Sequence, residues 1–160
     1  MKNKNGKKKF EPQELQFTFN AIIESIDKAT GKVKQKTEVH NIVVNDGLSL
    51  VRNWMAGDAV DNPTAIAVGT DATAPAVGDT ALGTEVVRES ATITKPASYQ
   101  VRYEKVFSVG SGVSHNIREV GIVDNVAVSG STLFSRIACN NTLDADTDLS
   151  VKVTYTIGRA

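Results

Sequence analysis

The chain has 160 residues, 41% of them hydrophobic, and 18 basic against 18 acidic side chains. That length supports one domain able to bury a core without disulfides or metals. A single cysteine, Cys139, excludes an internal disulfide and a cysteine-cluster metal site, and no apolar run approaches the roughly 20 residues of a membrane-spanning helix.

The neutral total hides an asymmetry. Lys2, Lys4, Lys7, Lys8 and Lys9 are five of the basic residues, and the first nine positions hold no acid, so the remainder carries 13 basic against 18 acidic side chains, a net −5. Residues 1–13 therefore read as a basic arm on a mildly acidic body, 14–160. No apolar segment follows the lysines, so the arm is not a secretory signal. Two readings stay open: a solvated tail, or a tether that orders against an acidic neighbouring surface. Lysines without interleaved arginines or aromatics do not suggest specific nucleic-acid binding.

The body then reads as strands and turns. LQFTFNAIIESID, residues 15–27, alternates Leu15, Phe17, Phe19, Ala21 and Ile23 against a more polar face. KATGK follows as a tight connection in which Gly31 supplies positive φ. VKQKTEVHNIVV, residues 33–44, is expected to return as the second arm of a long hairpin, with lysines 32, 34 and 36 on its exposed face. DGLSLVRNWMAG is the one predicted helix. Asn45 or Asp46 is its expected cap, Leu48, Val51, Trp54 and Met55 its expected buried stripe, and Gly57 its stop.

TAIAVG reads as a brief buried strand, and TDATAPAVGDTALG as a surface loop with Asp79 capping a turn. Its glycines are too far apart for a phosphate cradle. Strands are expected in TEVVRESATI, SYQVRYEKVFSV, NIREVGIVD, STLFSRIAC and LSVKVTYTI. The sum is about eight strands and one short helix, which predicts an all-β antiparallel two-sheet sandwich or jelly roll.

Candidate chemistry is sparse. His40 falls in a strand arm and His115 in a turn, and neither has an acid or nucleophile at interpretable spacing. DADTD, residues 144–148, resembles the start of a calcium loop. It lacks the glycine and distal glutamate of that loop and reads instead as a solvated turn. Cys139 reads as a small core residue. Trp54 falls in the helix, and Tyr99, Tyr103 and Tyr155 are spread along strands, so no sugar-stacking platform is evident; a carbohydrate-binding module is the alternative of another class. No cofactor, metal or catalytic set is expected, and the chain reads as non-enzymatic.

NIVVNDGLSLVRNWMAG, AIAVGTDATAPAVGDTALGTEVVRESA, NIREVGIVDN and STLFSRIACN, in that order, resemble virion structural proteins of tailed bacteriophages. The pattern is similar both to the attachment region of tail-collar fibre proteins and to short stand-alone accessory proteins, and it spans roughly residues 40–157. The resemblance carries its signature onto Asp79, Thr80, Ala81, Leu82, Glu85, Arg88, Ile117, Glu119 and Gly121. It implies a homo-oligomeric virion component, assembled in the host cytoplasm, that binds the major capsid protein or other virion proteins. Because the chain ends at Ala160, where a fibre would continue into a shaft, the expectation is a capsid decoration or cement protein. A neck, baseplate or fibre-attachment subunit is the alternative.

One detail inside NIREVGIVD calls for a partner. Arg118 and Glu119 are adjacent on a strand, point to opposite faces, and cannot pair with each other. Glu119 is expected to pair with Arg88, its companion in the signature. Arg118 is expected to meet a carboxylate on an adjacent strand or subunit. With the arm lysines, these three are the candidate partner-binding residues.

Overall fold

The computed structural model of the chain describes residues 14–40 and 42–159. In chain order its elements are β1 (Leu15–Asp27), β2 (Val33–Val39), β3 (Ile42–Val43), α1 (Asn45–Ala56), β4 (Ala65–Gly69), β5 (Glu85–Ser90), β6 (Thr92–Thr94), β7 (Gln100–Phe107), β8 (Ser114–Val123), β9 (Leu133–Asp144) and β10 (Thr147–Arg159). The lysine arm, with Lys2, Lys4, Lys7, Lys8 and Lys9, lies outside the described residues.

The expected all-β architecture with one short helix is the one found. All ten strands belong to one antiparallel network, which folds into two halves. In the first, β10 is the centre: it pairs with β1 over its full length, Leu15↔Arg159 to Asp27↔Thr147, and with β7 on its other edge. β2 and β6 flank these on the outside. The second half runs β5-β4-β8-β9-β3. The halves join where β9 turns into β10, through the single pair Thr147↔Asp144. One shared core includes Ile23, Phe107, Val153 and Tyr155 from the first half and Ile66, Val120, Ile122 and Ile137 from the second.

Ten strands rather than eight reflects two corners. The run 33–44 does not stay in one hairpin arm: β2 pairs with β1, whereas β3 pairs with β9 of the other half. Likewise, TEVVRESATI breaks at Ala91, so that β5 lies beside β4 and β6 beside β7. At each corner the chain runs on while its hydrogen-bonding partner changes from one half to the other.

The turns follow the sequence. Gly31 takes φ 68° between β1 and β2. At the β9–β10 turn, Asp144 Oδ1 accepts hydrogen bonds from Asp146 N at 3.0 Å and Thr147 Oγ1 at 2.7 Å. The first aspartate of DADTD thus shapes a hairpin.

The helix corrects two expectations. Its N-cap is Val44, with no side-chain cap; Asn45 N instead donates to Val77 O at 2.7 Å. Its inward face is Gly47, Leu50, Val51 and Trp54, whereas Leu48 and Met55 are 52% and 79% exposed. Gly47 is the cause. A Cβ there would collide with the Phe134 carbonyl, so only glycine lets this face of α1 lie on β9 and rotates Leu48 outward. Gly57, at φ 81°, ends the helix as expected.

Candidate functional site

Asp79, Leu82, Glu119 and Gly121 of the signature gather on the outer face of the second half, whereas Ile117 lies in the shared core. Cross-strand neighbours share a face, and here small residues line up: Ala67 lies opposite Gly121, and Gly69 opposite Glu119. This shallow surface lets the loop 70–84 lie close against the sheet. Leu82 fills a small cluster with Val44, Ala65, Ala67, Val123 and Leu133. A Cβ on Gly121 would press against Leu82 and Leu133 at 3.0 Å, so this glycine makes room for the loop's apolar anchor.

Beside that anchor lies a charged lock. Glu119, 1% exposed, accepts from Thr84 N at 2.8 Å and Asp71 N at 3.4 Å through Oε1, and from Gly83 N at 3.0 Å through Oε2. Arg136 on β9 donates to the same Oε2 from Nε at 2.9 Å, with Nη2 2.8 Å away. Arg136 also reaches the loop itself, with Nη1 2.8 Å from Asp79 Oδ2 and Nη2 3.1 Å from Asp71 Oδ2 and 3.3 Å from the Thr73 carbonyl. One buried guanidinium thus holds three carboxyl groups, and every group of Glu119 faces a donor. A Cβ on Gly69 would strike the Glu119 carboxyl, and one on Gly83 the Asp71 carboxyl, so both glycines are required by close approach.

The electrostatics follow the geometry. The Thr73 amide and hydroxyl, with Arg136 adding its charge, hold the Asp71 carboxyl below its ordinary range. The Ala76 amide and then Arg136 do the same for Asp79. Burial works against the charge of Arg136, but its bonds to Asp79 and Glu119 outweigh that and hold it above its usual value.

The expected Glu119–Arg88 pair is not formed. Arg88 sits on β5, separated from β8 by β4, whereas Arg136 is on the strand directly beside Glu119 and opposite Gly121. Arg88 has a nearer partner: its Nε and Nη2 donate to both carboxylate oxygens of Glu85 at 2.8 and 2.7 Å. The register shift at Val68/Gly69 brings Glu85 and Arg88 to the same face. The remaining Arg88 nitrogen, Nη1, fixes the 124–132 loop through the carbonyls of Asn125 and Ala127 and the Ser131 hydroxyl.

Arg118 also departs from expectation. It falls in the β8 register shift between Ile117 and Glu119, and no carboxylate pairs with it among the described residues. Its Nη1 lies 3.5 Å from Asn140 Oδ1, and its buried Nε has no hydrogen-bond partner there. The structure therefore unites Asp79, Leu82, Glu119 and Gly121, places Glu85 and Arg88 as a separate pair nearby, and leaves Arg118 apart. The residues missed from sequence are Asp71 and Arg136. Both left a trace: Asp71 is the second residue of the turn-forming TDAT, and Arg136 is a charge inside the apolar run LFSRIAC.

The other candidates are structural. His40 Nδ1 lies 2.8 Å from the Phe19 carbonyl. His115 is a strand residue of β8, paired with Leu143, rather than part of a turn. Burial pushes the Cys139 thiol up to about 12, which removes its nucleophilic form near neutrality. No helix among the described residues is long and apolar enough to cross a membrane.

The comparisons add no relative. No protein-family model, curated protein or solved structure matches this chain.

The aromatics are less dispersed than the sequence suggested. Trp54, Tyr103 and Tyr155 meet Phe17 and Phe134 in one groove between α1 and the first half of the sheet. Phe134 and Tyr103 contact Tyr155 edge-on, at centroid distances of 5.4 and 5.8 Å.

Proposed function

We propose that the chain is a non-enzymatic structural component of a tailed-phage particle, and that it serves as a capsid decoration or cement protein on the major capsid protein. One observation supports this reading. The resemblance residues Asp79, Leu82, Glu119 and Gly121 converge on a single device that pins a surface loop to a sheet. Both oxygens of the Glu119 carboxylate are committed to that loop and to Arg136, so the device sets the shape of a surface. Recognition would then rest on complementarity between the fixed loop face and a neighbouring virion protein. The lysine arm supplies a basic counterpart to an acidic neighbour.

The test is reconstitution on capsids lacking this chain. The purified protein is expected to co-sediment with them in many copies and to appear on the capsid lattice by electron microscopy. Removing residues 1–9 should lower occupancy and flatten its salt dependence. Density confined to the neck, baseplate or fibre base would move the assignment there, and absence from particles would refute it.

A further inference from the structure

The two edges of β1 are treated differently. One pairs with β10 along the whole strand. On the other, β2 covers β1 only from Ala21, opposite Val39, to its far end. Among the described residues no strand lies beside Leu15–Asn20 on that edge. One contact shows where its backbone groups point. His40, just past the end of β2, has Nδ1 2.8 Å from the Phe19 carbonyl, so that carbonyl faces the open edge. The N–H and C=O of one strand residue face the same edge and alternate along the chain, so those of Phe17 and Leu15 face it too.

An open edge is a template for another strand, and proteins blunt such edges with charge or brevity. The strands that end this network are blunted in those ways. β2 carries Lys34, Lys36 and Glu38, β5 carries Glu85, Arg88 and Glu89, and β3 and β6 are two and three residues long. Leu15–Asn20 has no charged residue. It also presents apolar surface: Leu15 is 60% exposed, and Phe17 and Phe19 stack on the same face with ring centroids 6.3 Å apart. The edge itself narrows the occupant. An unstructured foreign segment would lose conformational entropy on pairing, whereas a second copy brings the same strand already formed. Antiparallel pairing about a two-fold axis fills both edges at once, and an uncharged edge meets itself without repulsion.

We propose that two copies of the chain join edge to edge through β1, antiparallel, with Phe17 of one copy opposite Phe17 of the other. Phe17 is the middle of Leu15–Phe19, so this register uses the whole open edge, and the outward N–H and C=O of Phe17 are exchanged between the copies. Cross-strand neighbours share a face. Leu15 therefore meets Phe19 of the second copy on the apolar face, and Gln16 meets Thr18 on the polar one. A single sheet then runs through both copies. This names an interface where the virion reading implies only an oligomer, and it stands without that reading, since the edge belongs to the chain in any setting.

Light scattering on a dilution series of the full-length protein should show a monomer–dimer equilibrium, and amide exchange at Leu15 and Phe17 should slow as the dimer forms. Gln16→Lys combined with Thr18→Lys sets like charges directly opposite each other twice, and should raise the dissociation constant roughly tenfold or more. Gln16→Lys combined with Thr18→Glu sets opposite charges there and should keep the dimer near wild-type strength. Both side chains are exposed, so circular dichroism should be unchanged in either variant. A monomer at every concentration would overturn the proposal. So would a dimer that the two variants leave intact or weaken equally, or one whose formation leaves exchange at Leu15 and Phe17 unaltered, the mark of contact through another surface.

Discussion

Replacing Glu119 by leucine and Arg136 by methionine, singly and together, tests the charged lock. The two side chains are 1% and 4% exposed, and removing one partner of such a buried pair costs about 3–5 kcal/mol, because the other is stranded. At about 2–4 °C per kcal/mol for a domain of this size, each single change should lower Tm by roughly 6–20 °C. The double variant should recover part of that loss, with a coupling of about 1–3 kcal/mol. It cannot recover everything, because Gly83 N, Thr84 N and the Asp79 carboxyl still lose partners. Arg88→Met provides the contrast: combined with Glu119→Leu it should be additive within about 0.5 kcal/mol, as for residues that share no partner. Urea denaturation of the isolated proteins gives these energies, and hydrogen exchange at Gly83 and Thr84 reports whether the loop has lifted. A cost below about 1 kcal/mol for Glu119→Leu, against the usual penalty for an orphaned buried group, would refute the reasoning. Stronger coupling of Glu119 to Arg88 than to Arg136 would refute it equally.

Three further outcomes follow from the same structure. Asp71, Asp79 and Asp27 all titrate lower in the folded chain, Asp27 at about 2. Their stabilisation is therefore complete above the unfolded value of 3.8 and should vanish as pH falls through the folded values, and Asp79→Asn should flatten the fall of Tm between neutrality and pH 2. Gly47→Ala should destabilise by about 1–3 kcal/mol in thermal melts although alanine favours helix, since its methyl would displace β9; a stabilised variant would contradict that contact. Trp54→Ala should cost about 2–3 kcal/mol, less than a fully buried tryptophan, while Met55→Ala should stay within about 0.5 kcal/mol; equal costs would mean that the helix face is misassigned.

Local pattern determined a good deal of this protein. The two-residue period set β1 at Leu15–Asp27, Gly31 set its turn, and Gly57 set the end of α1, because each depends on backbone preferences that act over a few neighbours. The all-β class with one helix follows from the sum of such signals. Partnership was decided only by tertiary structure. Alternation is the same whichever strand lies alongside, so the runs 33–44 and 84–93 gave no sign that each crosses from one half of the sheet to the other. The helix face turned on Gly47, whose missing side chain matters only because the Phe134 carbonyl lies against it. The charged lock shows the same division. Glu119 stood out in sequence as a charge within an apolar run, a charge that needs a partner once buried. That the partner is Arg136, 17 residues later, rather than Arg88 follows from β9, not β5, lying beside β8.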